Sequence, residues 1–174
     1  MYVITDTGFW INIAKGNLVE SFVNLAQRES WTVVIPHIAE EDIRSVLDEL
    51  SSPPAGSLLR HSTIKVCPLS EEETLDLRKM QSEHLRLSFA DLSVVLIAAR
   101  LHPKIVLTLD ADLRALAESR GYQVHGSLWI LDKMVQQRIV SILQACEALQ
   151  RMASFPERLP PTEVAKRRKR WQCP

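Results

Sequence analysis

The sequence predicts an α/β fold: a three-layer α/β/α sandwich around a central, mainly parallel sheet of about five short strands. Short apolar and β-branched runs alternate with longer segments of helical spacing, which is typical of a parallel sheet with helical crossovers. At Ile105–Ala117 the period changes from that of a strand to that of a helix within one segment. The run VVLIAA, inside Ser88–Leu101, is apolar on every side and predicts a helix that is covered all round.

Length and composition are those of one domain with a substantial core. The chain has 174 residues, 46% of them apolar, which is too few residues for two ordinary domains. The formal net charge is zero, which argues against a generally basic nucleic-acid binder. No uncharged run approaches the roughly 18 residues of a membrane span, and no basic-then-apolar signal precedes Asp6, so we expect no membrane contact.

The cysteines give a further expectation. Cys67, Cys146 and Cys173 are odd in number, far apart and without a CxxC pair. This pattern suggests neither a zinc site nor a disulfide framework. We therefore expect a reducing, cytoplasmic setting.

The first quarter of the chain predicts a strand, two helices and a second strand. Tyr2–Thr5 is a run of β-formers, and the segment FWINIAKG after Asp6 has helical apolar spacing. Asn17–Gln27 has the spacing of a second, amphipathic helix. Trp31–Ile35 predicts the second strand, which Pro36 ends.

The middle of the chain continues the alternation. Ile38–Leu50 has one apolar stripe at helical spacing, and Ser51–Gly56 (SSPPAG) has the composition of a loop. Thr63–Cys67 predicts a third strand. Ser70 and Glu73 then open a helix with a capping-box pattern.

The last part of the chain predicts two more strands and four more helices. Ile105–Leu109 is typical of a strand buried on both faces. The helix after Asp110 carries an inward stripe as far as Ala117, and Gly121 lies at its C′ position. The other elements are a strand at Tyr122–His125, helices at Leu128–Val135 and Ile139–Met152, and, after Pro156 and Pro160-Pro161, a helix at Thr162–Trp171.

Acidic residues recur at the junctions between these elements. Asp6 and Asp110 follow strands, and Asp91 opens the VVLIAA helix with the S-x-x-D spacing of a capping box. In the 38–50 helix, counting back from the apolar stripe favours Asp42 or Glu41 as the acid at its edge. Each acid alone is explained as a helix cap or as a complement to the helix macrodipole.

Helix capping does not predict that these acids lie together. In a parallel sheet Asp6 and Asp110 face the same edge, and the helix that begins near Asp91 leads into the strand before Asp110. Carboxylates in one crevice repel one another unless a cation joins them, and Mg²⁺ and Mn²⁺ take oxygen ligands. Such a cluster suits phosphodiester hydrolysis, in which the metal activates water and neutralises charge on the phosphorane.

Four segments resemble the PIN-domain ribonucleases of the VapC toxin type. They are VITDTGFWINIAKGNLVE, VVIPHIAEEDI, LSFADLSVVLIAARL and LTLDADLRALAESRGYQVHGSLWIL. The resemblance extends over about Tyr2 to Leu131 and more weakly over LPPTEVAKRRKRW. It implies a PIN-like, Rossmann-like fold and a metal-dependent endoribonuclease that uses Mg²⁺ or Mn²⁺. It also implies an RNA substrate, an antitoxin protein as partner and a homodimer.

The resemblance also assigns roles to residues. Asp6, Asp91 and Asp110 match the family's metal-binding acids, Thr7 and Thr108 are supporting residues, and Asp112 would be an accessory acid and metal ligand. The second catalytic acid is Glu41 or Asp42: ungapped counting from Pro36 gives Asp42, whereas Glu41 offers the side chain that the family prefers. Ala111 separates two acids that many relatives place side by side, which leaves a catalytically degraded binding or regulatory protein as an alternative.

The C-terminal part is expected to be a helical extension of the catalytic domain. We expect a catalytic domain at residues 1–135 and a helical extension at residues 136–174, packed on the same domain or on a partner. The uninterrupted basic run could contact RNA phosphates and consists of Lys166, Arg167, Arg168, Lys169 and Arg170.

A further alternative is a phosphatase of the haloacid-dehalogenase kind, because LTLDAD resembles the strand and DxD nucleophile of that family. The Gly-Thr that should follow DxD is absent, and only a short helical tail remains for the distal lysine and acids. The nuclease is therefore favoured.

Overall fold

Strands and helices alternate along the chain, as predicted. The computed structural model describes residues 1–50, 59–154 and 159–174. Its strands are β1 (Tyr2–Thr5), β2 (Thr32–Pro36), β3 (Ile64–Cys67), β4 (Ile105–Leu107) and β5 (Gln123–His125). Its helices are α1 (Thr7–Lys15), α2 (Val19–Arg28), α3 (His37–Leu50), α4 (Glu71–Glu83), α5 (Phe89–Leu101), α6 (Ala111–Ser119), α7 (Ser127–Gln136), α8 (Ile142–Ala153) and α9 (Pro161–Trp171).

The strands form one sheet in the order β3-β2-β1-β4-β5, and all neighbouring pairs are parallel. β1 lies at the centre, where Ile4 is in register with Val34 on one side and with Val106 on the other. This arrangement confirms the predicted parallel sheet of five short strands.

The two faces of the sheet are covered by different helices. Val3, Val33 and Leu107 belong to a core cluster with residues of α1, α2, α3, α7 and α8. Ile4 and Val106, the neighbours of Val3 and Leu107 along their strands, belong to a second cluster with α4, α5 and α6. Because side chains alternate between the faces of a strand, the sheet is buried on both sides. The three-layer α/β/α sandwich is therefore confirmed.

Local sequence signals predicted the position of several helices correctly. Every residue of α5 from Leu92 to Ala98 is buried, as the VVLIAA run predicts. Ser88 and Asp91 form the predicted capping box at its start. Gly121, just beyond α6, has a φ of +86°, a backbone conformation that favours glycine over residues with a Cβ.

Other boundaries differ from the prediction for identifiable reasons. β4 ends at Leu107 rather than Leu109, because the Thr108 hydroxyl accepts a hydrogen bond from the backbone N–H of Asp110 and turns the chain. The helix predicted from Ile139 begins at Ile142, because Ser141 caps it. The predicted loop Ser51–Gly56 and the break at Pro156 lie outside the described residues.

The expectation of no disulfide is wrong. Cys146 in α8 is bonded to Cys173 just after α9, across a sequence separation of 27 residues, and Cys67 is a buried free thiol. The count of three cysteines could not show that α9 brings the C-terminal cysteine back to α8. Since disulfides are typical of oxidising compartments, this bond gives no support to the expected reducing, cytoplasmic setting.

Candidate active site

The candidate active site lies at the topological switch point of the sheet. β2 pairs with one side of β1 and β4 with the other, so the chain leaves the centre in both directions. The helices that follow β1 and β4 belong to the clusters on opposite faces. A crevice therefore opens between the carboxyl ends of β1 and β4, which is where ligands bind in open α/β sheets. Asp6 and Asp110 lie in the turns that follow these strands.

Asp6 is held in a fixed position at this crevice. It is 3% exposed, and its backbone N–H donates to the Leu107 carbonyl over 3.2 Å, which joins β1 to β4. As the N-cap of α1, its Oδ1 accepts a hydrogen bond from the backbone N–H of Phe9 at 2.6 Å. Its Oδ2 accepts a hydrogen bond from the Thr108 hydroxyl.

Thr108 links Asp6 to Asp110. Thr108 is fully buried, and while its hydroxyl donates to Asp6, the same oxygen accepts from the backbone N–H of Asp110 at 3.0 Å. Asp110 is exposed and caps α6, its Oδ1 accepting from the backbone N–H of Leu113 at 2.8 Å. We call Asp6, Thr108 and Asp110 the acid corner. The Thr108 hydroxyl thus joins the carboxylate of Asp6 to the backbone of Asp110.

A second layer of contacts, which sequence reasoning missed, supports the acid corner. Thr5, the neighbour of Asp6, is fully buried, and its hydroxyl donates to the Val34 carbonyl at 3.2 Å. The same oxygen accepts from the indole N–H of Trp10 at 2.8 Å. These bonds fix the end of β1 against β2 and α1. The signal in the sequence was a threonine in an otherwise apolar strand, which requires hydrogen-bond partners when buried.

Asp91 lies at the start of α5. Its Oδ2 accepts hydrogen bonds from the backbone N–H of Ser88 at 2.9 Å and from the Ser88 hydroxyl at 2.7 Å. Because α5 leads back into β4 as a crossover, its amino end is on the carboxyl side of the sheet, as expected. α5 contacts β1, β2, α3 and α6. Asp91 is half-buried, and its bonded partner is three residues away rather than in the acid corner.

The acids of α3 are arranged differently from the expectation. Glu41 and Asp42, the two sequence candidates, are exposed. Glu40 is less exposed, with 25% of its side chain accessible, and it forms an ion pair with Arg44 at 2.6 Å. Glu40 lies three residues before Ile43 and seven before Leu47, so helical spacing places it on the buried side of α3, whereas Glu41 and Asp42 are turned toward solvent.

Asp112, in the first turn of α6, forms an ion pair outside the acid corner. Its Oδ1 lies 3.0 Å from the guanidinium of Arg86, an exposed residue between α4 and α5. Both residues line a cavity of about 520 Å³, together with Leu85 and Leu116. The structure therefore gives Asp112 a cationic partner outside the acid corner.

The basic run lies on α9, and much of its charge is paired within the chain. Arg167, whose side chain is 13% exposed, donates from Nε and Nη2 to the carboxylate of Asp132 in α7. Arg170 donates to the same carboxylate, and Lys166 pairs with Glu163 at 2.6 Å. The hydrogen bonds from Lys166 and Arg167 lower the pKa of Glu163. Arg168 donates to the Pro174 carbonyl, and Lys169 is exposed.

The candidate oxygen donors fit a hard divalent cation in type. Within the described residues, Asp110 Oδ2 and Asp91 Oδ1 accept no hydrogen bond, and the buried hydroxyl of Thr7 has no partner. In residues 1–50, 59–154 and 159–174 no three His, Cys, Asp or Glu side chains are grouped so as to hold a metal ion. The side chains thus offer suitable donors rather than a formed ligand cage.

The fold and these residues define the class of protein: a doubly wound, parallel α/β protein with acids at its switch point. The chain belongs to the PIN-domain family, because the family model DUF3368, described as a PIN domain, matches residues 2–172. A search of curated proteins finds no significant match. PIN domains are generally nucleases, so the fold is a nuclease fold. No helix in the described part of the chain combines the length and apolar character of a membrane span.

Proposed function

We propose that this PIN domain is an endoribonuclease that hydrolyses RNA phosphodiester bonds with Mg²⁺ or Mn²⁺, and that it is the toxin of a toxin–antitoxin pair. The observation that carries the nuclease proposal is the acid corner, where Asp6 and Asp110 meet at the Thr108 hydroxyl in the crevice of the switch point. The toxin role, the antitoxin partner and the homodimer rest on the sequence resemblance.

The residues have separate roles in this proposal. Asp6 and Asp110 would hold the ion from adjacent strands, Asp91 from the start of α5, and Glu41 or Asp42 from α3. When bound, the cation would activate a water molecule and neutralise charge that develops on the phosphorane. Thr108 is a positioning residue, because its hydroxyl fixes the carboxylate of Asp6 and the backbone of Asp110 at once.

Cleavage of a fluorogenic single-stranded RNA tests the proposal. We expect cleavage with Mg²⁺ or Mn²⁺ and none with EDTA. Asp91→Asn should lower the cleavage rate at least about 100-fold, which exceeds the usual effect of losing a residue that only orients a metal ligand. Asparagine keeps a side-chain oxygen that can still accept the hydrogen bonds from Ser88. Asp76→Asn, on the exposed side of α4, is the matched control and should cleave like the wild type.

Two results would contradict the proposal separately. Cleavage that persists in EDTA would exclude the metal mechanism. Equal rates for Asp91→Asn and Asp76→Asn would exclude the assigned role of Asp91. Sedimentation equilibrium tests the homodimer, and co-purification with the product of a neighbouring reading frame tests the antitoxin.

One observation favours a second candidate, a binding or regulatory PIN domain without catalysis. Asp6, Asp91 and Asp110 each accept hydrogen bonds at a helix start, so all three carboxylates have a structural use. A regulator would bind RNA or protein without cleaving RNA, and added Mn²⁺ would leave its thermal midpoint unchanged. The nuclease should instead be stabilised by Mn²⁺, since a ligand that binds the folded state shifts the unfolding equilibrium.

A further inference from the structure

Three aromatic rings from β5, α7 and the residue before β2 are stacked on one another. The rings of His125 and Trp129 are parallel within 6°, with centroids 4.0 Å apart. The rings of Trp129 and Trp31 are parallel within 4°, at a centroid distance of 6.3 Å. We call these three residues the His125 stack. Its middle ring, Trp129, belongs to α7, while His125 ends β5 and Trp31 precedes β2.

The His125 stack adjoins the carboxyl edge of the sheet. The backbone carbonyl of His125 accepts a hydrogen bond from the backbone N–H of Thr108 at 3.0 Å. Thr108 is the residue whose hydroxyl joins Asp6 to Asp110. A Cβ added to Gly126, the next residue after His125, would lie only 3.1 Å from the Leu109 side chain, which shows how closely the two loops approach.

The stack extends from the core to the surface. Trp31 is 3% exposed, whereas Trp129 and His125 are half-buried. In the part of the chain that the structure describes, the ring contact of His125 is with Trp129 alone. One face of the imidazole is thus covered by the indole, and the ring forms the outer end of the stack. An aromatic ring held flat in this way is preorganised to accept another ring.

Two cations lie near these rings, and each has an acidic partner: Lys133 pairs with Glu29 at 3.6 Å and Arg114 with Glu118 at 3.5 Å. Lys133 Nζ lies 5.1 Å from the Trp129 ring centroid, and Arg114 donates to the carbonyls of Thr108 at 3.3 Å and Val124 at 2.9 Å. Burial lowers the pKa of His125, and Arg114 and Lys133 lower it further. The imidazole therefore resists protonation more than a solvated histidine does, mainly because it is partly buried. A ring with cations nearby suits a nucleotide, which offers a planar base and a phosphate.

We propose that His125 is a stacking platform for a nucleobase of the RNA substrate, with Arg114 and Lys133 close to the adjoining phosphates. This inference rests on the proposed function and adds to it one substrate contact, in which an unstacked base lies on the imidazole. Stacking uses the face that all bases share, so the platform would tolerate any base.

A fluorescent base measures this contact directly. The probe is a single-stranded oligoribonucleotide in which each position in turn carries 2-aminopurine, whose emission falls when it stacks on another ring. Binding is measured in EDTA, so that no cleavage occurs. We expect quenching at one position, His125→Phe to retain it, and His125→Ala and His125→Leu to lose it with about tenfold weaker binding.

The variants separate stacking from folding. His125→Leu keeps apolar volume against Trp129 without an aromatic face, so it remains informative if His125→Ala fails to fold. Gln123→Ala, on the same strand and exposed, is the matched control and should bind like the wild type. Thermal midpoints of all variants show which losses follow from instability.

The outcomes distinguish this inference from the proposed nuclease. If the wild type cleaves RNA and His125→Leu has the same KM and the same quenching, the platform is overturned and the nuclease stands. If quenching depends on His125 but no RNA is cleaved with Mg²⁺ or Mn²⁺, the nuclease fails and the platform stands. If no RNA binds or is cleaved, or if His125→Leu lowers only the thermal midpoint, the stack is structural and the platform is overturned.

Discussion

The acid corner and helix α9 are both attached to distant parts of the chain, but by different interactions. In the acid corner Asp6 and Thr108, 102 residues apart, are buried and joined by a hydrogen bond. α9 is attached by the partly exposed ion pairs of Asp132 with Arg167 and Arg170, and by the Cys146–Cys173 bond.

This difference predicts which conditions affect each region. The buried hydrogen bonds that Asp6 accepts from neutral donors should be insensitive to salt and to reductant. Removing one partner, however, leaves the other buried without a hydrogen bond. Partly exposed ion pairs are screened by salt, and a disulfide depends on redox conditions. The acid corner should therefore respond to mutation, and α9 to the solution as well.

The largest effect is expected for Asp6→Ala. This change removes the N-cap of α1 and leaves the Thr108 hydroxyl without its acceptor, so the free energy of unfolding should fall by about 2–4 kcal/mol. Urea unfolding measures the loss, and RNA cleavage should be abolished if the proposed function is correct. The loss should be the same at 0.1 M and 1 M NaCl.

Asp76→Ala is the control for this prediction, because it removes an exposed aspartate from α4 and should change stability by less than about 0.5 kcal/mol. A stability loss for Asp6→Ala no larger than that of the control would show that the buried bonds of the corner contribute little. A loss that shrinks in high salt would show that the corner depends on charge, and the contrast with α9 would fail.

The next effect is that of the disulfide. Cys173→Ser removes a cross-link across a sequence separation of 27 residues, which is expected to cost about 3.5 kcal/mol through the entropy of the unfolded chain. Dithiothreitol should destabilise the wild type by the same amount and leave Cys173→Ser unchanged. If reductant has no effect on the wild-type unfolding midpoint, the cysteines are unpaired in solution and α9 is held without a cross-link.

The two regions also differ in how much of them the sequence reveals. The acid corner was largely predictable, because Asp6 and Asp110 carry local signals: each directly follows an apolar run and precedes a helix. Parallel topology then places both at one edge. The hydroxyl that joins them was not derivable in this way, since the hydrogen bonds of Thr108 depend on tertiary distances.

The attachment of α9 was not predictable from local signals. The cysteine pattern gives no pairing, and the basic run indicates charge without indicating that Arg167 and Arg170 share Asp132. The lower exposure of Glu40 follows from helical spacing, since it lies three residues before Ile43 and seven before Leu47. The site assignment of Asp91, Glu41 and Asp42 stays a prediction that the proposed cleavage assays test.

A smaller effect is expected for Asp132→Asn. The charge that Arg167 and Arg170 share is lost, and the guanidinium of Arg167 is only partly solvated, so α9 should be destabilised by about 1–2 kcal/mol. The loss should decrease between 0.1 M and 1 M NaCl, as measured by urea unfolding. Glu147→Gln, which breaks an exposed pair with Arg151 within α8, is the control and should cost less than about 0.5 kcal/mol. A loss of stability that does not depend on salt would contradict the view that partly exposed ion pairs with Asp132 hold α9.

The smallest effect concerns pH and His125, at the edge of the acid corner. Burial, then Arg114 and Lys133, lower the pKa of His125 below its ordinary value of 6.5. As the pH falls below about 6.5, His125 binds a proton in the unfolded chain more readily than in the folded one. The folded state therefore loses stability until the pH reaches the lower pKa of His125 in the folded protein.

Replacing His125 by glutamine, which does not titrate, should reduce the drop in the urea midpoint between pH 7.5 and 5.5. The other four histidines are common to both proteins, so the difference belongs to His125. Equal pH dependence in the two proteins would contradict a lowered pKa of His125 in the folded state.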